Sequence, residues 1–339
     1  MNHEIDLEKY QLRSDLAIDL IDSSNNLYGL KQTTENKNEV LITNVVLEKE
    51  NCLNKKPGNY ITLEFDDITD TDNFNKVSEV LIEQLKKILD KMNIKKENSC
   101  LIVGLGNDKS TPDALGPQVI DKLIITNHIY ELGQLDNNYR RVSAIKPGVT
   151  AQTGIETTDI IKSVVKEIKS DFLIVIDALA SQSIDRVNKT IQMTDTGIHP
   201  GSGIGNSRKE VSFETIGIPV LAIGVPTVVD ATVIVSDTIN YMYKHYAFIK
   251  EYSKKPQSKL SLSSGNYISK NININNKDKE ELLGLIGKLN SDEIKQLINE
   301  VLTPIGYNLM VTPKEVDFII LKLSELISLD LNKSIHNIG

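Results

Sequence analysis

Apolar residues along the chain form short unbroken runs that alternate with stretches of helical spacing. The runs predict strands and the helical spacing predicts amphipathic helices. The predicted strands cover 40–47, 60–65, 100–105, 141–145, 171–177, 190–193 and 218–223. The predicted helices cover 77–92, 117–129, 155–169, 228–246, 280–301 and 313–329. This order indicates an α/β fold, with a doubly wound, mostly parallel sheet flanked by helices and a small C-terminal helical unit.

Changes in composition predict the domain limits. Residues 16–249 carry the strand and helix pattern of the α/β domain. Residues 250–279 are rich in Ser, Lys and Asn, which predicts a flexible loop or linker. Residues 280–330 form the C-terminal helical unit, which we expect to pack on the α/β domain. The first 38 residues are charged and rich in asparagine, and their apolar patch at 16–18 reads by itself as an ordinary exposed patch.

Charge and cysteine content narrow the class of protein. The net charge of the 339-residue chain is −8, which argues against direct binding to a nucleic-acid backbone. Cys52 and Cys100 form no CxxC pair, which fits a reducing cytoplasm. The first residues lack the basic and apolar regions of a secretory signal. The apolar window 216–235 contains Gly, Pro and Asp, so we expect a buried strand and helix start rather than a membrane span.

Several common chemistries find little support. A dinucleotide-binding turn after Gly104 and Gly106 would need a third glycine where the chain has Lys109. The five histidines form no HExxH motif, and only His199 lies in a glycine-rich loop. No Gly-x-Ser-x-Gly elbow is present, and Cys100 lies within a predicted strand. We therefore expect no cofactor and no obligatory metal.

Two aspartates are the most informative candidates. Asp113 follows the strand 100–105, and Asp177 ends the run 171–177; each is followed by Ala-Leu. Loops after parallel strands project to one edge of the sheet, where the two carboxylates can meet. Close carboxylates do not both ionise cheaply, so one keeps a proton while the other activates water. This pair suits general acid–base hydrolysis of an amide, and a metal bound by the same two carboxylates is the alternative.

Several long motifs occur in a fixed order along the chain. They are Gly-Leu-Gly-Asn at 104–107, Thr-Pro-Asp-Ala-Leu-Gly-Pro at 111–117, Val-Ser-Ala-Ile-Lys-Pro-Gly-Val at 142–149, Thr-Gly-Ile-Glu-Thr at 153–157, Ile-Asp-Ala-Leu-Ala at 176–180, Asp-Thr-Gly-Ile-His-Pro-Gly-Ser-Gly at 195–203, Ile-Gly-Val-Pro-Thr-Val-Val-Asp-Ala at 223–231 and Asn-Leu-Met-Val-Thr-Pro-Lys-Glu at 308–315. With these motifs, the sequence resembles the germination proteases of spore-forming bacteria over most of its length.

The resemblance implies an endopeptidase that degrades small acid-soluble spore proteins during germination. It implies an inactive precursor, a homotetramer, a location in the cytoplasm of the spore core and a fold like that of the hydrogenase maturation proteases. The two essential aspartates of the family match Asp113 and Asp177. Asn107, His199 and Asp230 lie in the matching motifs and are predicted to line the site.

The resemblance also implies where the precursor is cut. The family cleaves after an acidic residue and before a large apolar residue that alanine follows, and Asp15-Leu16-Ala17 has this pattern. Self-cleavage between Asp15 and Leu16 would remove residues 1–15 as a propeptide. Asp108 and Lys109 depart from the expected motif and can change the rim of the cleft. Two alternatives stay open: a metal-dependent endopeptidase using the same aspartates, and a non-catalytic protein that binds basic spore proteins.

Overall fold

The computed structural model describes residues 14–23, 27–201, 208–253, 275–302 and 309–336. Most of the predicted linker, from 254 to 274, lies outside the described residues. The described chain divides into two compact units. The larger unit is drawn from Arg13–Val229 and Thr312–Gly339, and the smaller unit from Asp230–Val311. The larger unit thus stops at residue 229, whereas the composition predicts its end at 249. It also contains the last helix of the chain.

The helices and strands have the following bounds. The strands are β1 Leu30–Lys37, β2 Val40–Leu47, β3 Gly58–Glu64, β4 Cys100–Gly104, β5 Val142–Ile145, β6 Phe172–Ser181, β7 Thr190–Thr194, β8 Val220–Asp230 and β9 Met310–Val311. The helices are α1 Ala17–Ser23, α2 Thr71–Lys91, α3 Leu115–Ile120, α4 Asn127–Glu131, α5 Thr150–Thr153, α6 Thr157–Ile168, α7 Phe213–Ile216, α8 Ala231–Ser253, α9 Asn276–Leu283, α10 Ser291–Leu302 and α11 Val316–Ile335.

Strands β1 to β8 form one mixed sheet in the order β1-β2-β3-β7-β8-β6-β4-β5. Strands β8, β6, β4 and β5 are parallel to one another and form the core of an α/β sheet. On the other side, β7, β3, β2 and β1 continue the sheet in antiparallel pairs. The predicted α/β class and helix-flanked parallel core are confirmed, and the antiparallel half extends that core.

Helices cover both faces of the parallel core, as its apolar runs predict. On one face, Phe172, Ile174 and Ile176 of β6 pack with residues of α2, α3 and α11. On the opposite face, Leu173 and Val175 pack with residues of α6 and α7. Because side chains alternate along a strand, Asp177 falls on the α6 and α7 face.

Several predicted elements need correction. The helix expected over 117–129 is in fact α3 and the separate α4, and Pro117 is the third residue of α3. Proline is tolerated there because the first amides of a helix have no partner within the helix. The strands predicted to end at 177 and 223 continue to Ser181 and Asp230, so Asp177 lies inside β6. The patch at 16–18, expected to be exposed, is buried.

In the smaller unit, α8 packs against α9 and α10. The structure has two helices, α9 and α10, where one helix was predicted over 280–301, and a 3-10 segment, Gly284–Lys288, joins them. The last helix, α11, packs on α2 and α3 of the larger unit. Among the described residues, no helix combines the length and the apolar character needed to cross a membrane.

Candidate active site

Asp113 is presented by a turn between β4 and α3. After β4, the Leu105 amide still donates to the Ile176 carbonyl oxygen at 2.8 Å, and Gly106 then turns the chain with φ of +111°. Asp113 closes a 3-10 turn, Thr111–Asp113. The Asn107 amide donates to the Asp113 carboxylate Oδ2 at 2.9 Å and to the Asp113 carbonyl oxygen at 3.0 Å. The carboxylate is thus fixed by the backbone of the turn that carries it.

Asp177 lies inside the sheet with β4 and β8 on either side. Its side chain is buried, and its Oδ1 accepts a hydrogen bond from the Ala178 amide at 2.9 Å. Burial raises its pKa well above the usual range of an aspartate, and the nearby carboxylates of Asp113 and Asp15 raise it further. This carboxyl group therefore favours its protonated form.

The carboxyl group of Asp113 also has a raised pKa. Burial raises its pKa to about 6, against the opposing effect of the hydrogen bond from the Asn107 amide. Asp113 is therefore mostly ionised at neutral pH, and Asp177 is the member of the pair whose environment favours the protonated form. A carboxylate base next to a carboxylic acid is the arrangement that general acid–base hydrolysis requires.

The main chain of the N-terminal segment 14–19 is bound beside these carboxyl groups. Asp15 pairs with Ala180 of β6: its amide donates to the Ala180 carbonyl oxygen at 3.3 Å, and its Oδ2 accepts from the Ala180 amide at 3.0 Å. Its carbonyl oxygen accepts from Lys55 Nζ at 3.1 Å and from Gln192 Nε2 at 3.2 Å. The Ala17 amide donates to Gln192 Oε1 at 2.7 Å. The chain is therefore held on both sides of Leu16.

The side chains of the segment fill separate pockets. Leu16 is 0% exposed and packs against Leu179, two residues beyond Asp177. Ala17 is also 0% exposed and packs among Val45, Leu47 and Tyr60, where a larger side chain has no room. The segment is thus seated residue by residue, in the manner of a peptide in a binding cleft.

The carboxylate of Asp19 is buried in a polar pocket at the end of the segment. Its Oδ1 pairs with Arg186 Nη1 at 2.5 Å. Its Oδ2 accepts from Ser181 Oγ at 3.0 Å and from the Gln182 amide at 2.7 Å. Charge-assisted hydrogen bonds of this kind fix an acidic side chain firmly.

The sequence is similar to known proteins over nearly its whole length. A model of the germination protease family matches residues 7–338. The chain belongs to the germination protease family. A germination protease of a Geobacillus species is 44% identical over 99% of this chain and 96% of its own length. That of Priestia megaterium is 44% identical over 99% and 97%, and that of Oceanobacillus iheyensis 42% identical over 96% and 95%.

Membership of the germination protease family identifies the chain as a peptidase of spore germination. The structure places the other predicted residues of this peptidase in different surroundings. Asn107 lies at the site, because its amide holds Asp113 and its Oδ1 accepts from Gln152 Nε2 at 2.6 Å. His199 lines a cleft with Asp15 and is 2.9 Å from Glu210. Asp230 belongs to the smaller unit, where its Oδ1 accepts from the Thr232 amide at 2.7 Å.

Four residues that contact the turn or the segment were missed by reasoning from sequence: Lys55, Arg186, Gln192 and Thr227. Thr227 of β8 donates from Oγ1 to the Pro112 carbonyl oxygen at 2.7 Å, which fastens the turn that carries Asp113. The other three bind the segment 14–19. Gln192 carried a detectable signal, because it is the only amide side chain within the apolar run 190–193.

A metal would need a larger set of ligands than the two aspartates. In the described part of the chain, no three His, Cys, Asp or Glu side chains come together in an arrangement suited to an ion. The residues present therefore fit a bound metal poorly, and no reaction step is derived through one.

Proposed function

We propose that this chain is an endopeptidase made as a self-processing precursor, in which Asp113 and Asp177 activate water. The observation that carries this proposal is the pair of carboxyl groups with different environments beside a bound peptide segment. Asp113 is the base, because it ionises near pH 6, and Asp177 is the acid, because burial keeps its proton.

The first substrate in this proposal is the chain itself. Cleavage of the Asp15–Leu16 bond would remove residues 1–15. Two observations support this. The Asp15 carboxylate raises the pKa of Asp177, and Leu16 packs on Leu179 of the strand that carries Asp177. The precursor then has its own segment in the position where another substrate would bind, which accounts for its inactivity toward other proteins.

The later substrates in this proposal are small acid-soluble spore proteins, degraded in the cytoplasm of the spore core. Support comes from the germination role of the family and from the burial of Leu16 and Ala17, a large apolar residue followed by a small one, next to Asp15. A homotetramer is proposed from the family resemblance alone.

The test uses purified full-length protein with Asp113→Asn and Asp177→Asn. We expect both variants to fold and neither to cleave Asp15–Leu16 or an added spore protein, with products identified by mass spectrometry. The wild-type rate should rise with pH through about 6 as Asp113 ionises. Full activity in either variant would exclude the pair as catalysts.

Two further results decide between the alternatives. A chelator should leave cleavage unchanged; its loss on chelation and recovery with one metal would favour a metallopeptidase. Intact spore protein in a stable complex with the wild-type chain would favour a binding protein.

A further inference from the structure

The carbonyl oxygen of Asp15 accepts two side-chain hydrogen bonds from outside its own segment. Lys55 Nζ lies 3.1 Å from this oxygen, and Gln192 Nε2 lies 3.2 Å from it. Lys55 comes from the loop between β2 and β3, and Gln192 from the middle of β7. In the proposed function, this oxygen belongs to the peptide bond that is cut.

The loop that carries Lys55 is folded around one buried asparagine. Asn51 Nδ2 donates to the carbonyl oxygens of Glu48 and Lys55, both at 2.9 Å, and Asn51 Oδ1 accepts from the Lys55 amide at 3.3 Å. Among the described residues, no carboxylate lies within ion-pair distance of the Lys55 ammonium. Burial lowers the pKa of Lys55, and the carboxylates of Asp15 and Asp19 partly oppose this effect. The loop thus holds the Lys55 side-chain nitrogen against the backbone carbonyl of Asp15.

Gln192 binds the segment with both ends of its amide. Nε2 donates to the Asp15 carbonyl oxygen, and Oε1 accepts from the Ala17 amide at 2.7 Å. A side chain thereby takes the hydrogen bonds that a neighbouring strand would make. The side chain itself is 6% exposed, so it has little freedom to leave this position.

The register of the sheet places Gln192 in one row with Asp177. Gln192 pairs with Gly224 of β8, and Gly224 pairs with Asp177 of β6. Directly paired residues project to the same face, so the Gln192 and Asp177 side chains stand on one face with a glycine between them. Two strand spacings, about 10 Å, separate their backbones. The Leu179 side chain lies over the glycine, and Leu16 of the segment packs against it.

We propose that Lys55 and Gln192 are catalytic residues that stabilise the negative charge on the carbonyl oxygen of residue 15 during peptide-bond hydrolysis. The proposal rests on the proposed function for the bond that is cut and for Asp113 and Asp177. Donors placed about 3 Å from a developing oxyanion are a large source of rate acceleration in acyl transfer. A cation strengthens this effect, because its hydrogen bonds are charge-assisted.

The step balances with the two aspartates as acid and base. Asp113 takes a proton from water, whose oxygen forms a bond to the carbonyl carbon of residue 15. The electron pair of the carbonyl moves onto its oxygen, next to Lys55 and Gln192. When the pair returns, the bond to nitrogen breaks and the Leu16 nitrogen takes the proton of Asp177. The proton on Asp113 then returns to Asp177, and one water has been consumed.

The test follows cleavage of Asp15–Leu16 in the full-length chain as a single first-order reaction. Lys55→Met removes the cation and keeps an unbranched apolar stem. Gln192→Glu keeps an acceptor for the Ala17 amide and replaces the donor to the Asp15 oxygen. Lys37→Met is the matched control, since Lys37 pairs with Glu83 away from the segment. Hydrogen exchange of residues 15–23 is measured in each protein, because it reports whether the segment stays bound.

We expect Lys55→Met and Gln192→Glu each to lower the cleavage rate by about 100- to 1,000-fold. Exchange protection should persist, and Lys37→Met should cleave at the wild-type rate. Near wild-type cleavage in Lys55→Met would overturn the proposal. So would a slower rate that follows loss of protection, because Lys55 would then only hold the segment. If Lys55→Met does not fold, Lys55→Gln replaces it.

Failure of the proposed function looks different. It would appear as an intact Asp15–Leu16 bond in the wild-type chain, or as normal cleavage in Asp113→Asn.

Discussion

Replacing Asp113 by asparagine should stabilise the full-length protein while abolishing its cleavage. The carboxyl group has a pKa of about 6 in the folded chain, against an ordinary value of 3.8. Well below pH 3.8 it is protonated in both the folded and the unfolded state, so it does not change the free energy of unfolding. Between these values the unfolded state releases the proton and the folded state keeps it. Folding stability therefore falls as pH rises from 4 to 6, and the loss is constant above that.

The size of this loss follows from the difference between the two pKa values. About two units correspond to about 3 kcal/mol of unfolding free energy at neutral pH. Asparagine has no ionisation to suppress, and its side-chain oxygen can still accept from the Asn107 amide, which lies 2.9 Å from Asp113 Oδ2. The Asp113→Asn variant should thus gain about 3 kcal/mol over wild type at pH 7 and above, and only about 0.6 kcal/mol at pH 4.

The assay is urea unfolding at several pH values between 4 and 8. Each sample is shown by mass spectrometry to be full length, so that self-cleavage does not enter the comparison. A difference between variant and wild type that does not change with pH would refute the reasoning, because it would mean that ionisation of Asp113 is not resisted by the fold.

Asp330 supplies the matched comparison outside the site. It is 0% exposed in α11, its Oδ1 accepts from Ser78 Oγ at 2.6 Å, and burial raises its pKa to about 7. The pH-dependent gain in Asp330→Asn should reach about 4 kcal/mol by the same calculation. Unlike Asp113→Asn, this variant should keep its cleavage rate. Loss of cleavage in both would mean that the two variants fail for a structural reason.

Two further substitutions test the packing around the site. Ala17→Leu overfills the pocket that encloses Ala17, so it should cost about 1–3 kcal/mol and slow self-cleavage, measured by thermal unfolding and mass spectrometry; an unchanged rate would show that this pocket does not hold the segment. Gly116→Ala places a Cβ 2.6 Å from the Ile176 carbonyl oxygen and closer still to that of Leu105. It should separate α3 from the sheet and lower the unfolding temperature, and a wild-type temperature would show that α3 can shift freely.

Much of the sheet was predictable, because its strands are apolar runs or apolar–polar alternations with turn residues on either side. The run 190–193 and the alternation over 40–47 matched β7 and β2 almost residue for residue. The far ends of β6 and β8 were not predictable in this way. Pro226 reads as the end of a strand, but it pairs with Leu179 where the register of the sheet shifts. A bulge accommodates a proline there, and nothing in the local pattern announces it.

The candidate site was predictable in part for a similar reason. Asp113 and Asp177 follow apolar runs, and a charge at the end of a buried run is conspicuous. Lys55 lies in a polar loop, where lysine is the ordinary surface residue, and its role depends on contacts with a segment 40 residues away in sequence. The patch 16–18 is buried by residues of β2, β3 and β6, which are distant in sequence. Its local composition therefore predicted exposure. Such tertiary contacts leave no mark on local spacing.

The two halves of the sheet contribute different parts of the site. The parallel core supplies Asp113 and Asp177, at and just beyond the ends of pairing between β4 and β6. The antiparallel half supplies Lys55 from the loop before β3 and Gln192 from β7. Because β7 joins the two halves by pairing with both β3 and β8, the groups that hold the peptide face the groups proposed to cleave it. The parallel core alone would supply the two carboxyl groups without Lys55 and Gln192, the side chains that bind the Asp15 carbonyl oxygen.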